Sequence, residues 1–204
     1  MKNFKNYHQI IFHKPFKFNT MKNYFYSLLL LASGLLFTAC SDDDTPPPPI
    51  DEEEVITTLI VTLSSNSGQT IVLSSQDLDG DGPNAPVVNV GGPLSVATTY
   101  TGVIQLLNET VSPAEPIHEE VAQESAEHQF FYTQGGNLSV TTNYEDFDVN
   151  GNPLGLNFTL ATTSAGQGSI TFTLRHEPLK PNDGTLSGAG GETDISVTFP
   201  VTIE

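Results

Sequence analysis

The sequence predicts an all-β fold, a single antiparallel β-sandwich of Ig-like architecture with one short helix in a connection. Three observations predict it. From residue 55 onward, apolar and polar residues alternate with period two in run after run, as in strands with one face in a core and the other in water. About eight such runs are set apart by turns rich in Gly, Pro, Asn and Asp, the spacing of a sandwich. Only residues 113–128 carry a concentration of helix formers instead.

The first strand is the β-branched run 55–63, stopped by Ser64-Ser65-Asn66-Ser67-Gly68, and 70–74 is its hairpin return. A Gly- and Pro-rich loop leads to a strand over 100–107. In 113–128 a proline is placed to open a helix of two to three turns, with Ile117 and Val121 on one face and Glu120, Glu124 and His128 on another. Residues 129–133 form the next strand, followed by the alternations Leu138-Val140-Thr142-Tyr144 and Leu156-Phe158-Leu160-Thr162. Ile170, Phe172 and Leu174 then alternate with Ser169, Thr171, Thr173 and Arg175. The last strand sets Ile195, Val197, Phe199, Val201 and Ile203 against Ser196, Thr198 and Thr202, and Pro200 places it at an edge or a bulge.

Ahead of these strands the chain reads as targeting sequence. Met21 and Lys22 open a short basic region, residues 27–37 are apolar over a secretory length, and Ala39 precedes Cys40, the only cysteine. The pattern is that of a bacterial lipoprotein signal with cleavage before Cys40 and lipid, palmitate included, on that residue; the run is short for a membrane span. Residues 1–20 read as an upstream over-extension, 21–39 as the signal peptide, 40–54 as an acidic, Pro-rich tether and 55–204 as the sandwich domain. Asp42-Asp43-Asp44 resembles the export signal that sends Bacteroidetes lipoproteins to the outer face of the outer membrane, with periplasm-facing anchorage as the alternative. Pro46 to Pro49 followed by Asp51-Glu52-Glu53-Glu54 makes an extended, self-repelling stalk.

Charge divides the same way. From Cys40 onward 24 acidic residues face two basic ones, Arg175 and Lys180, a formal charge of −22. Such a surface excludes nucleic acid as a partner and favours cations or a basic partner. Two loops carry oxygen side chains at alternate positions, as short loops do around a hard cation such as Ca2+. The first contains Asp77, Asp79 and Asp81; with Val88 at the twelfth position and no helix following, it is not an EF-hand. The second contains Asp146, Asp148, Asn150 and Asn152. In each, an Asx turn that caps its own backbone is the competing reading. A mixed site of Glu124, His128 and His176 would suit Zn2+, Cu or Fe, provided that the helix end meets the strand end.

Catalytic patterns are absent: the sequence has no nucleophile elbow, Walker loop, His-Glu-x-x-His pair or dinucleotide fingerprint. Without Trp it also offers little platform for stacking sugars. A non-enzymatic protein is expected.

Several local strings carry a resemblance: Glu52-Glu53-Glu54 with Ile56-Thr57-Thr58, Asp77-Leu78-Asp79-Gly80-Asp81-Gly82, Thr99-Tyr100-Thr101-Gly102 and Leu106-Leu107-Asn108-Glu109. Further on come Glu127-His128-Gln129-Phe130-Phe131-Tyr132, Gly151-Asn152-Pro153-Leu154-Gly155, Leu174-Arg175-His176-Glu177-Pro178 and Gly190-Gly191-Glu192-Thr193-Asp194. On these the chain resembles a family of small Bacteroidetes outer-membrane lipoproteins often labelled type 1 periplasmic binding fold superfamily proteins. That label names a two-lobed α/β fold of repeated βα units, whereas the periodicity of this chain is β, and the fold expected here follows the periodicity. The resemblance implies an outer-membrane lipoprotein and assigns no ligand residues. The function expected is a lipid-anchored binding module of the cell envelope, stabilised by a cation and serving ligand or metal uptake with an outer-membrane receptor or transporter. A structural or adhesive surface protein stabilised by calcium is the alternative, and a carbohydrate-active enzyme a more distant one.

Overall fold

A computed structural model describes residues 54–80 and 82–204, all within one compact unit. The upstream extension, the signal, Cys40, the tether as far as residue 53, and Asp81 of the first Asp-rich loop lie outside the described residues.

The described chain is all-β, with two antiparallel sheets. The larger has the strand order β3-β2-β1-β4-β7-β6, from β1 (Thr58–Ser65), β2 (Thr70–Gln76), β3 (Val87–Val90), β4 (Thr99–Leu107), β6 (Val140–Tyr144) and β7 (Asn157–Thr162). The smaller has the order β5-β8-β9, from β5 (His128–Gly136), β8 (Gly166–His176) and β9 (Glu192–Ile203). Two short helices lie in connections, α1 (Ile117–Gln123) and α2 (Leu186–Ala189).

The alternation read from sequence is what buries each strand. Leu59, Val61 and Leu63 of β1 and Ile104 and Leu106 of β4 face Phe130 of β5, Phe172 and Leu174 of β8 and Phe199 of β9 in one continuous core. An aromatic chain joins the sheets. The Phe158 ring of β7 lies 4.7 Å from Tyr132 of β5 and 5.8 Å from Phe172 of β8, and Phe172 meets Phe199 edge-on. Gly102 on β4 makes room for this chain, because a Cβ there would stand 2.3 Å from the Phe158 ring. Gly102→Ala is therefore expected to lose about 1–3 kcal/mol of stability by overpacking, measured by urea denaturation. An unchanged midpoint would refute the packing argument.

β9 is an outer strand, as Pro200 required, and its last turns are covered by residues 94–96, which run parallel to it. Three features depart from the sequence reading. β3 is a strand within what reads as a loop, because its exposed valines pair only at the edge of β2. α2 is a further helical turn, capped by the Thr185 hydroxyl on the Gly188 N–H. α1 keeps Ile117 and Val121 buried but stops at Gln123, so His128 belongs to β5 and not to a helical face.

Candidate metal centre

Strand parity brings two histidines together. In β5 the even-numbered His128, Phe130 and Tyr132 point into the sandwich, and in β8 Phe172, Leu174 and His176 do the same. The register pairs Phe130 with Leu174 and His128 with His176. The histidines are thus the last rung of the core ladder, with ring centroids 4.7 Å apart.

A β-bulge adds a carboxylate. Leu174 pairs with Ile195, but Arg175 pairs with Thr193, leaving Asp194 as the extra residue. Strict alternation would send Asp194 outward with Ser196 and Thr198. The bulge re-aims it, and its side chain is 4% exposed. Arg175 braces the approach to the bulge by donating to the carbonyl oxygens of Gly190 and Gly191 and to the Thr193 hydroxyl. Gly191 has φ +69°, and a Cβ on it would strike the carbonyl oxygen of His176. Only glycine lets that turn close so tightly on the histidine strand.

Glu54 supplies the second carboxylate. It lies just before β1, where Thr57 is pinned by the bonds Thr57 N–H to Leu107 O and Asp77 N–H to Thr57 O. Its side chain is 4% exposed. Charge patterning placed this residue at the end of a stalk, whereas its carboxylate lies inside the domain.

Glu54, His128, His176 and Asp194 each offer a ligand atom within 4.8 Å of the others, a buried cluster that could hold a metal ion. His128 Nε2 stands 2.8 Å from Glu54 Oε1 and 3.8 Å from Asp194 Oδ2. His176 Nδ1 stands 3.8 Å from Glu54 Oε2 and 3.7 Å from Asp194 Oδ1. The His128–Glu54 contact is short, yet His128 Nε2 has no partner in hydrogen-bonding geometry, and neither has the buried Glu54 Oε2. His128 is oriented from behind: its Nδ1 lies 3.3 Å from the carbonyl oxygen of Glu124, which can only accept. A proton on Nδ1 makes that bond, and Nε2 faces the cluster.

Glu124 reaches this site through its backbone and is outside the four-residue group. Burial raises its carboxyl above the ordinary value; the charge of His128 lowers it, and Glu120 and Glu54 raise it further. His118 lies on α1, with Nδ1 3.0 Å from the Leu106 carbonyl.

The Asp-rich loops use their oxygens differently. In the first, Asp79 accepts from the backbone and side-chain N–H groups of Asn84, and Asp77 accepts from the Asp79 N–H. In the second, Asp146 accepts from the N–H groups of Gly155 and Asn157, and Asp148 from those of Asn150 and Asn152. The Asp79-to-Asp77 and Asn150-to-Asp148 bonds, two residues apart, are Asx turns, and the others tie each loop to residues further along the chain. None of Asp77, Asp79, Asp146 and Asp148 joins a group of three or more acidic, histidine or cysteine ligands among the described residues. The second loop has its own cation: Lys180 Nζ lies 3.7 Å from Asp148 and donates to the carbonyl oxygens of Ser125, His128 and Pro153.

Burial pushes the Asp148 carboxyl up, but the donors from Asn152 and Asn150 and the Lys180 charge outweigh it, so it titrates below its ordinary value of 3.8. A depressed carboxyl contributes stability that is complete above the unfolded value and is lost as pH falls through the folded one. Asp148→Asn is accordingly expected to be less stable at neutral pH and to lose less on acidification from about pH 4 downward. Denaturation at a series of pH values measures this, and parallel wild-type and variant profiles would refute it.

Sequence reasoning identified His128 and His176 and missed Glu54 and Asp194. No local pattern marked either one, since Glu54 closes a run of acids and the direction of Asp194 depends on a bulge. Elsewhere, a cleft of about 290 Å³ opens between β5 and β6, with Tyr132, Thr133, Gln134, Thr141 and Thr142 in its lining. No protein-family model, curated protein or solved structure matches the chain.

Proposed function

We propose that the protein is a non-enzymatic, lipid-anchored binding module of the cell envelope whose sandwich is stabilised by a bound metal cation. One observation carries the reading. Four ionisable side chains from segments far apart in sequence are buried together at one end of the sandwich, with side-chain exposures of 0–10%. Burying two carboxylates costs several kcal/mol per ion unless positive charge offsets it, and a bound metal cation supplies that charge without protonating the imidazoles. The surroundings favour a stabilising role over catalysis, because four protein donors fill the sphere and leave no position for a substrate.

The anchor rests on the sequence of the signal, with Cys40 carrying lipid in the outer membrane. An outer-membrane receptor or transporter is the partner that this reading expects.

Thermal melting of metal-stripped protein tests the cation. A divalent transition ion at a thousandfold excess over its Kd should add about 4 kcal/mol, and His128→Ala should abolish the response. Equal melting of the stripped and metal-loaded wild type would end the proposal.

A further inference from the structure

From the donor set we infer that the centre takes a divalent first-row transition ion of the zinc class in a closed, four-coordinate sphere, with Glu54 as the ligand that completes it. This rests on the metal-binding reading above and narrows it. Two imidazole nitrogens among four donors suit zinc, iron or cobalt and not calcium, which takes six to eight oxygens.

Around a tetrahedral ion with bonds of about 2.0–2.1 Å, neighbouring donors stand roughly 3.4 Å apart. One ligand atom from each residue lies within 4.8 Å of the others, and each carboxylate meets the two histidines through different oxygens at 2.8 to 3.8 Å, so a bound ion would draw the four donors closer together. A calcium sphere would need more oxygens at longer range. The second contact of His128, to the Glu124 carbonyl, holds the tautomer that a transition ion requires.

The four ligands also have an order. His128, His176 and Asp194 come from the three strands of the small sheet and are set by its register. Glu54 comes from the lead into β1 of the large sheet. A bound ion therefore ties the point where the chain enters the domain to the opposite sheet. This tie makes Glu54 the ligand whose loss opens the sphere while leaving the small sheet intact.

Cobalt(II) is the probe, because its visible absorption is intense in four-coordinate sites and weak in six-coordinate ones. The full-length chain in detergent, stripped of metal and titrated with Co2+, should develop the intense bands. Zn2+ should displace the cobalt, and Ca2+ in large excess should not. Glu54→Gln, which keeps the shape of the side chain, should collapse the intense bands and weaken Zn2+ binding by more than about 100-fold, beyond the cost of an outer partner. Far-UV circular dichroism of the same variant should be unchanged. Weak six-coordinate bands in the wild type, displacement by Ca2+, or wild-type Zn2+ affinity in Glu54→Gln would each overturn this inference and leave the metal-binding module standing. Failure of the wild type to bind any divalent ion would remove the module reading itself.

Discussion

Replacing Lys180 by Met is expected to lower the stability of the sandwich by about 3–5 kcal/mol, the cost of removing one partner of a buried ion pair. The Lys180 side chain is 6% exposed and that of Asp148 1%. Without the ammonium, the Asp148 charge remains buried, and the carbonyl oxygens of Ser125, His128 and Pro153 lose their shared donor. Burial lowers the Lys180 pKa, and the nearby Asp148 and Asp146 charges act against that fall, so the ammonium and the loop support each other. Because one of these bonds is to the backbone of His128, metal affinity should drop with stability, by about 10–100-fold as for other outer partners. Urea denaturation gives the first number and Zn2+ titration the second. A loss below about 1 kcal/mol, the range of an exposed pair, would show that the network contributes little.

The second large effect has the opposite sign. Converting the centre to apolar residues, Glu54→Leu with His128→Phe, His176→Phe and Asp194→Leu, should raise metal-free stability by about 1–4 kcal/mol, because buried ionic groups are often less stabilising than apolar packing of similar volume. The same chain should lose every response to added metal, so that metal-saturated wild type overtakes it by the binding term. The comparison separates a site kept for a ligand from one kept for the fold. Chemical denaturation with and without Zn2+ measures both quantities. A variant less stable than metal-stripped wild type would show that the four side chains hold the apo fold through their own contacts.

Much of this was legible in the residues. Period-two alternation gave the sandwich, and the same parity that buries Phe130 and Leu174 extends to His128 and His176 without any structural information. The helix was legible from Ile117 and Val121 but not its end, because its last turn gives way to β5 under tertiary contacts. The oxygen-rich loops were visible as patterns, yet Asp79 and Asp148 turn to N–H groups of their own loops. What compensates Asp148 is Lys180, which is remote in sequence and readable only after folding. Glu54 sat in a run of acids whose composition matches a stalk, and nothing local separates it from Glu53. Asp194 was hidden by the rule that found the histidines, since one extra residue in β9 reverses its side.

The sequence by itself determined the fold class and which side chains of each strand face the core. Both follow from local sterics, which send successive side chains to opposite faces whatever a strand pairs with. Only the tertiary structure decided that the core ladder ends in a pair of histidines, that a bulge turns Asp194 toward them, and that Glu54 reaches them from the other sheet. Register, bulge position and sheet-to-sheet approach are set by burial summed over the whole domain, so no window of neighbouring residues contains them. The acidic surface looked at first like a reason to expect calcium in the loops. The folded chain also gathers two of its many carboxylates with two imidazoles at one buried point, a cluster that could hold a cation.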